Sequence, residues 1–261
     1  MCEIGDPVHK KQSPFRRPIQ PHEYRERSYR RIVNSRLIAQ RVTVQETDIH
    51  LYAAVRMEDM AREIIITQRG HLEHYILQHP GFLQALQPWP ADPFAPPIVQ
   101  SMIMAARRAG VGPMAAVAGA VAEQVGGPIG ALTPEVIVEN GGDIYLKSAS
   151  PLTIAVFAGA SPLSMKIGIQ ILGTGDPLAV CTSSGTVGHS LSLGRADAVC
   201  VLGTSCPMAD AAATAIGNRV KSADDLQAAI DWGRGLEEVF GILVIAGSRM
   251  GAWGRMKIVP L

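Results

Sequence analysis

The sequence predicts an α+β fold, and three observations lead to it. Segments with the patterning of β-strands cluster between pairs of helical segments and do not alternate with single helices. Of the 261 residues, 47% are hydrophobic, so the chain is able to bury a substantial core. Segments starting at Pro113 and Pro207 both read Pro-Met-Ala and continue with small residues. This echo predicts two intimately packed, pseudo-duplicated α/β halves, with chance similarity of two alanine-rich helices as the alternative.

The first 24 residues differ from the rest of the chain. They are polar, basic and proline-containing, which predicts a flexible tail over 1–24 and one domain over 25–261. No apolar segment typical of a secretory signal opens the chain, and no run of about 20 apolar residues occurs. The four cysteines lack CxxC or zinc-ligand spacing. We therefore expect a soluble, cytoplasmic protein with reduced thiols.

The composition also limits the classes of partner that the protein is expected to bind. The formal net charge of +1 gives no overall field that favours nucleic acid or a membrane surface. Aromatic residues make up only 5% of the chain, which argues against platforms on which bases stack. We therefore expect no nucleic-acid or membrane partner, and the sequence leaves a homo-oligomer open.

The first half predicts strands followed by helices. From Tyr29 the pattern predicts two or three strands, clearest in VQETDIHLYA. The next segment, EDMAREIIITQRGHLEHYILQHPGFLQAL, has helical spacing, and Pro80 ends that helix. A rigid connector, PWPADPFAPP, leads to a helix over 98–108 and, after a Gly-Pro break, to a small-residue helix, PMAAVAGAVAEQV.

The second half is richer in strands. The segment EVIVENGGDIYL predicts two short strands that meet at a Gly-Gly turn. Further strands are predicted in LTIAVFAG, KIGIQILG, LAVCTSSG and DAVCVLG. A helix starting in CPMADAAATAIGN, an acidic helix near 223–231, and strands in GILVIAG and GRMKIV complete the chain.

Asp210 is an acid inside an otherwise apolar helical stretch, and Thr214 follows four residues later. Residues at this spacing lie on one face of a helix, about one turn apart. A carboxylate and a hydroxyl placed in this way are able to share one hard divalent cation. The alternative is an acid stabilised by the dipole of its own helix, with a threonine that bonds a backbone carbonyl. On these two residues alone, the structural role is favoured.

Two loop motifs carry candidate ligand-binding groups. The first, which we call the NGGD turn, comprises Asn140, Gly141, Gly142 and Asp143. Its glycines allow the backbone to approach a ligand and present amides, and a simple hairpin is the alternative. The second, the TSSG loop, comprises Thr182, Ser183, Ser184 and Gly185, with His189 shortly after it. Its hydroxyls suit phosphate or ring-edge contacts, and an ordinary hydroxyl-rich turn is the alternative.

Two cysteines stand beside these motifs. Cys181 precedes the TSSG loop at a strand end, and Cys206 stands at a helix start. Backbone amides at such positions lower the pKa of a thiol, which makes both residues candidates for persulfide or sulfur-relay chemistry. A buried, inert cysteine is the alternative. No Walker, GxGxxG or GxSxG pattern occurs, so a serine-hydrolase function has little support.

Taken in their order along the chain, these motifs resemble the ApbE-like superfamily, which includes FAD:protein FMN transferases. GPMAAVAGAVAE resembles the family's DLGGIAKGYAVD, and VIVENGGDIYL resembles its NLGGDI turn. TSSG resembles its Thr-Ser-Gly strand end, His189 stands where its HIIDP begins, and ADAAATA resembles its ADALATA. The resemblance covers roughly residues 110–220 and implies an ApbE-like α+β fold with mainly antiparallel sheets.

The resemblance also implies a site. Asp210 and Thr214 would hold Mg²⁺ or another divalent cation, with a backbone carbonyl near Ala115 as a further ligand. The NGGD turn, the TSSG loop and His189 would hold FAD, FMN or another pyrophosphate-bearing nucleotide.

Two positions depart from the family pattern. Ala118 replaces the lysine of IAKG, and Ser192 replaces the aspartate of HIIDP. Three functions therefore stay open: a degenerate FMN transferase, a thiol-based protein that uses Cys181 or Cys206, and a non-catalytic binding homologue.

Overall fold

A large antiparallel sheet forms the centre of the protein, as seen in a computed structural model that describes residues 37–187 and 193–261. The predicted tail, His189 and Ser192 lie outside the described residues. The strands are β1 (Ile38–Val44), β2 (Thr47–Ala53), β3 (Val136–Asn140), β4 (Asp143–Lys147), β5 (Leu152–Ala155), β6 (Ile167–Ile171), β7 (Pro177–Ser183), β8 (Ala198–Gly203), β9 (Val239–Ala246), β10 (Arg249–Gly254) and β11 (Lys257–Pro260).

Two sheets are built from these strands. Eight strands form the large sheet in the order β1-β2-β3-β4-β7-β8-β9-β10, and every neighbouring pair is antiparallel. The small sheet has the order β11-β6-β5 and is also antiparallel. The predicted α+β class with mainly antiparallel sheets is thereby confirmed.

The helices interrupt the strand sequence in groups, as the sequence pattern predicted. They are α1 (Glu58–Gln78), α2 (Gly81–Gln84), α3 (Pro97–Ala109), α4 (Val117–Leu132), α5 (Cys206–Gly217) and α6 (Leu226–Gly233). Short 3₁₀ turns, Pro113–Ala116 and Ala223–Asp225, precede α4 and α6. The two echoing Pro-Met-Ala segments thus form the starts of two helical units.

The described residues pack in three layers. Strand residues alternate between the two faces of the large sheet, so Val136 and Val138 pack against the helices while Ile137 packs against the small sheet. One buried cluster therefore lies between helices and large sheet, and a second lies between the two sheets. Both faces of the large sheet are covered at its central strands, which explains why these strands are apolar in succession.

The NGGD turn is the two-residue hairpin that the sequence predicted. Gly141 and Gly142 have φ angles of 71° and 110°, and Asn140 pairs with Asp143 across the turn. Positive φ at both central positions matches the twist of the flanking strands, and glycine adopts it without strain. The hairpin places Asp143 at the first position of β4.

The C-terminal strands include one that was not predicted. The strand expected in GRMKIV is present as β11, which begins at Lys257 in the small sheet, whereas β10, which ends at Gly254 in the large sheet, was missed. Gly254 has a φ of 97°, and a Cβ there would lie 2.1 Å from the Phe240 carbonyl oxygen. The chain turns at this close approach, which depends on a distant segment and leaves no local signal.

Within the described ranges, no helix combines the length and apolarity needed to cross a membrane.

Candidate functional site

Helices α4 and α5 touch through their backbones near their amino ends. A Cβ added to Gly119 would lie 2.4 Å from the Cys206 carbonyl oxygen and 2.9 Å from the Asp210 Cβ. Real Cβ contacts are not this short, so only glycine permits the approach. This contact brings Asp210 to the first turn of α4.

Asp210 caps a helix other than its own. The backbone amide of Gly119 donates to its Oδ2 at 2.9 Å, and the amide of Ala118 also bonds the carboxylate. These are amides that the first turn of α4 leaves without partners inside the helix, and the helix dipole favours negative charge beside them. The dipole that stabilises Asp210 therefore belongs to α4, whereas the sequence had pointed to the dipole of its own helix.

A second carboxylate lies beside Asp210. Asp143, at the start of β4, accepts a hydrogen bond from the Thr182 amide at 3.2 Å. Burial and the neighbouring Asp143 carboxylate together raise the pKa of Asp210 well above its ordinary value, although the amides of Gly119 and Ala118 oppose this. Asp210 is only 8% exposed. Two acids from different elements thus share one buried location.

The TSSG loop meets α5 through hydroxyl groups. The Thr214 hydroxyl donates to the Ser183 Oγ at 3.4 Å. Ser184 instead closes a local turn, because its Oγ accepts the amides of Thr186 at 3.1 Å and Val187 at 2.9 Å. The Gly185 amide donates to the Ala196 carbonyl. Of the loop's predicted ligand-binding residues, Thr182 and Ser183 contact the Asp210 region, while Ser184 and Gly185 hold the loop together.

The NGGD turn is tied to the same place. The Asn140 side-chain amide donates to the Ala118 carbonyl at 3.0 Å, which fixes the hairpin against the first turn of α4. Within the hairpin, the Gly142 amide donates to the Glu139 Oε1 at 3.0 Å. The peptide unit of Ala118 and Gly119 therefore lies between the Asn140 side chain and the Asp210 carboxylate.

Ala115 lies in the 3₁₀ turn before α4, where its amide donates to the Gly112 carbonyl. The contacts to Asp210 come from Ala118 and Gly119, one turn further along. The role of Ala115 as a cation ligand stays a prediction.

Glu123 is a residue that the sequence reasoning did not single out. Its Oε2 accepts the backbone amide of Cys206, the first residue of α5, at 2.7 Å. Burial raises the pKa of Glu123, and the Cys206 amide counteracts part of that effect. The signal that drew attention to Asp210, an acid within an apolar helix, was present at Glu123 as well.

For Cys181 and Cys206 the structure favours the alternative of a buried, inert cysteine over that of a reactive thiol. Both residues are fully buried, and burial raises the pKa of each thiol, that of Cys181 well above its ordinary value. The Cys181 thiol donates to the Cys206 carbonyl at 3.4 Å. The amide that was expected to favour a Cys206 thiolate is bonded to Glu123 instead. Both cysteines therefore serve as packed core residues in this structure.

The donor groups at the site are oxygens. Asp143 and Asp210 offer carboxylates, and Ser183 and Thr214 offer hydroxyls. Oxygen donors suit Mg²⁺ or Ca²⁺, which also accept water and phosphate oxygens as ligands. No group of three or more His, Cys, Asp or Glu side chains able to hold a metal occurs in the described part of the chain. A cation here would therefore take part of its shell from hydroxyls, carbonyls, water or a bound ligand.

Sequence comparisons place the chain among known proteins. A family profile described as "AbpE bacteria" matches residues 30–234. A "UPF0280 protein" of Methanococcus aeolicus is 37% identical, covering 84% of this chain and 91% of the relative. Another "UPF0280 protein", of Methanocella arvoryzae, is 39% identical, covering 83% of this chain and 89% of the relative.

Solved structures agree with the fold. The flavinyl transferase ApbE of Pseudomonas stutzeri, in its apo form, has a TM-score of 0.54 at 15% identity, covering 84% of this chain and 94% of that one. A single-residue mutant of the flavin transferase ApbE of Vibrio cholerae has a TM-score of 0.51 at 15% identity, covering 84% of this chain and 97% of that one. The ApbE-like fold expected from the motifs is thereby confirmed.

Proposed function

The chain belongs to the family described as AbpE bacteria, and on that premise we propose that it binds a divalent cation together with a flavin nucleotide or another pyrophosphate-bearing ligand. The proposed site lies where the first turns of α4 and α5 meet the NGGD turn and the TSSG loop. Its cation-binding residues are Asp210 and Thr214, with Asp143 beside them.

The observation that carries this proposal is the buried pair Asp143 and Asp210. Two carboxylates in one buried location repel each other unless a proton or a cation neutralises them. The hydroxyls of Thr214 and Ser183 add neutral oxygen donors on the same side of α5. A hard divalent cation matches both the charge and the donor type of this set.

A bound cation would neutralise the negative charge of a pyrophosphate and polarise a phosphoryl oxygen. The chain's own residues hold the surrounding groups. Asn140 fixes the NGGD hairpin against α4, and the Asp143 carboxylate holds the Thr182 amide at the end of β7. These bonds keep two loops at fixed positions relative to Asp210, as a nucleotide site requires.

Transfer of FMN from FAD to an acceptor is the reaction that the motif order and the structural likeness favour. Ala118 and Ser192 replace the lysine and the aspartate of the family motif, so binding is the primary proposal and transfer the secondary one. Cleavage of the FAD pyrophosphate would release AMP, which chromatography separates from FAD. Incubation with FAD and Mg²⁺ that releases no AMP, both alone and with a hydroxyl-bearing protein acceptor added, would leave a non-catalytic binding homologue.

Isothermal titration tests the binding proposal. We expect wild-type protein to bind FAD in the presence of Mg²⁺, and Asp210→Asn to lose the Mg²⁺-dependent part of the affinity. Asp231→Asn is the matched control, because Asp231 is an exposed acid on α6 whose partners are Gln227 and Arg234. Absence of heat with wild-type protein, or equal binding by Asp210→Asn, would contradict the proposal.

A further inference from the structure

On the premise of the proposed function, we infer that Glu123 is a positioning residue for the cation site and acts through the amino end of α5. Both cation-binding side chains, Asp210 and Thr214, belong to α5. Their position relative to the NGGD turn and the TSSG loop therefore depends on how this helix is held.

Glu123 holds the first residue of α5 from outside that helix. Its Oε2 accepts the Cys206 amide at 2.7 Å. Among the described contacts, the side chain of Ser205, which precedes the helix, caps none of its amides. The Cys206 amide, one of those that a first helical turn leaves without partners inside the helix, is thus satisfied by an acid of α4 that lies 83 positions earlier in the chain.

Each of the two helices contributes a carboxylate that accepts a backbone amide near the start of the other helix. Helix α5 supplies Asp210 to the first turn of α4, and α4 supplies Glu123 to the first residue of α5. The contacts run in opposite directions along the two helices, because Gly119 meets Asp210 while Glu123, further along α4, meets Cys206. A shift of α5 along α4 would lengthen both bonds together. Asp210 therefore helps to hold α4 in position, and Glu123 helps to hold α5 in position.

The packing around Cys206 couples the position of this residue to that of Asp210. The Cys206 carbonyl lies against Gly119 and accepts the Cys181 thiol at 3.4 Å. Asp210 follows Cys206 by four residues on the same helix, so it moves with that end as a rigid unit. Groups that orient metal ligands without touching the metal commonly change metal affinity by about 10- to 100-fold when they are removed.

Four variants of the full chain test the inference, with Mn²⁺ affinity as the readout. Glu123→Gln keeps an oxygen that is able to accept the Cys206 amide but has no charge. Glu123→Asp keeps the charge but is one methylene shorter, and Glu123→Ala removes both. Gln124→Ala, at the next position of α4, is the control for loss of a polar side chain. Titrations are run on the variants that circular dichroism shows to be folded at the temperature used.

We expect wild type, Glu123→Gln and Gln124→Ala to bind Mn²⁺ alike, and Glu123→Ala to bind about tenfold more weakly. Glu123→Asp should also bind more weakly than Glu123→Gln, and this comparison stands even where the alanine variant does not fold. A merely structural role would lower the melting temperature and leave the affinity of the folded protein unchanged.

Three outcomes would overturn the inference. Equal affinity for wild type and Glu123→Ala would remove the positioning role and leave the cation site intact. Stronger binding by Glu123→Asp than by Glu123→Gln would assign the effect of Glu123 to its charge. Absence of Mn²⁺ binding by wild type would overturn the proposed function itself, and this inference with it.

Discussion

Asp210 combines a favourable packing role with an unfavourable charge environment. Its carboxylate satisfies the amides of Ala118 and Gly119, which stabilises the first turn of α4. The same carboxylate lies buried beside Asp143, which destabilises its charged form. The amides and the neighbouring acid act in opposite directions, and burial decides the outcome. A group held in this way gains stability from either a proton or a cation.

The pH dependence of stability follows from this arrangement. The pKa of Asp210 is higher in the folded state than in the unfolded chain, where it is about 3.9. Between these two pKa values the folded state binds more protons, so the free energy of unfolding falls as pH rises. In EDTA, we expect the stability of Asp210→Asn minus that of wild type to increase from about pH 4 upward. Urea unfolding at a series of pH values measures this difference in the free energy of unfolding. A difference that does not change with pH would contradict the raised pKa of Asp210.

The buried cysteines give a second test at this scale. Because burial raises the pKa of Cys181 and Cys206, both thiols should resist alkylation in native protein at pH 8 and react after unfolding. A Cys2→Ser background removes the thiol outside the described residues. Mass spectrometry of peptides from iodoacetamide-treated protein measures the extent of alkylation at each cysteine. Rapid native labelling of either thiol would restore the sulfur-chemistry alternative.

At the scale of elements, the crossing of α4 and α5 depends on one glycine. Gly119 allows the two backbones to touch, and the exchanged carboxylates Asp210 and Glu123 hold them in register. The NGGD hairpin is fastened to the same turn of α4 through Asn140. Segments that are distant in sequence therefore meet at a single peptide unit.

Substitution of that glycine should be costly. A Cβ at position 119 would meet the Cys206 carbonyl oxygen at 2.4 Å, so Gly119→Ala has to displace α5. We expect a loss of about 1–3 kcal/mol in the free energy of unfolding, in the range of overpacked cores. Gly70→Ala, in α1, is the control, since nothing lies within 4 Å of that Cβ and alanine favours the helix by about 0.5–1 kcal/mol. Equal effects of the two substitutions on denaturant unfolding would contradict the close contact.

At the scale of the whole molecule, three layers place the site at the junction of helices and sheet. The central strands of the large sheet are buried on both faces, and the ends of these strands present the NGGD turn and the TSSG loop to α4 and α5. The core is apolar on either side of β4 and β7, so polar groups at this junction exchange hydrogen bonds with one another.

Features of the fold that have a local signal were predictable from the sequence. The Gly-Gly hairpin was predictable because its positive φ angles demand glycine at Gly141 and Gly142. The order of motifs identified the family and grouped Asp210 and Thr214 with the two loops. Strand β10 was missed, and the turn at Gly254 that separates it from β11 depends on the backbone of Phe240.

Features that depend on tertiary packing escaped prediction for the same reason. The bond from Cys206 to Glu123 joins residues 83 positions apart, and no pattern within either helix encodes it. One of the two alternatives left open for Cys206 was a thiol pKa lowered by its place at a helix start, but complete burial raises that pKa. Burial of this kind arises only when α5 packs on α4 and the sheet.

The most direct test of the account is the position of a bound cation. Crystals grown with Mn²⁺ and examined by anomalous diffraction locate the ion without reference to activity. We expect an anomalous peak within about 2–2.5 Å of the Asp210 carboxylate and the Thr214 hydroxyl, with Asp143 beside it. A peak elsewhere with this location empty, or no peak at saturating Mn²⁺, would contradict the claim that α4, α5 and the two loops form a cation site.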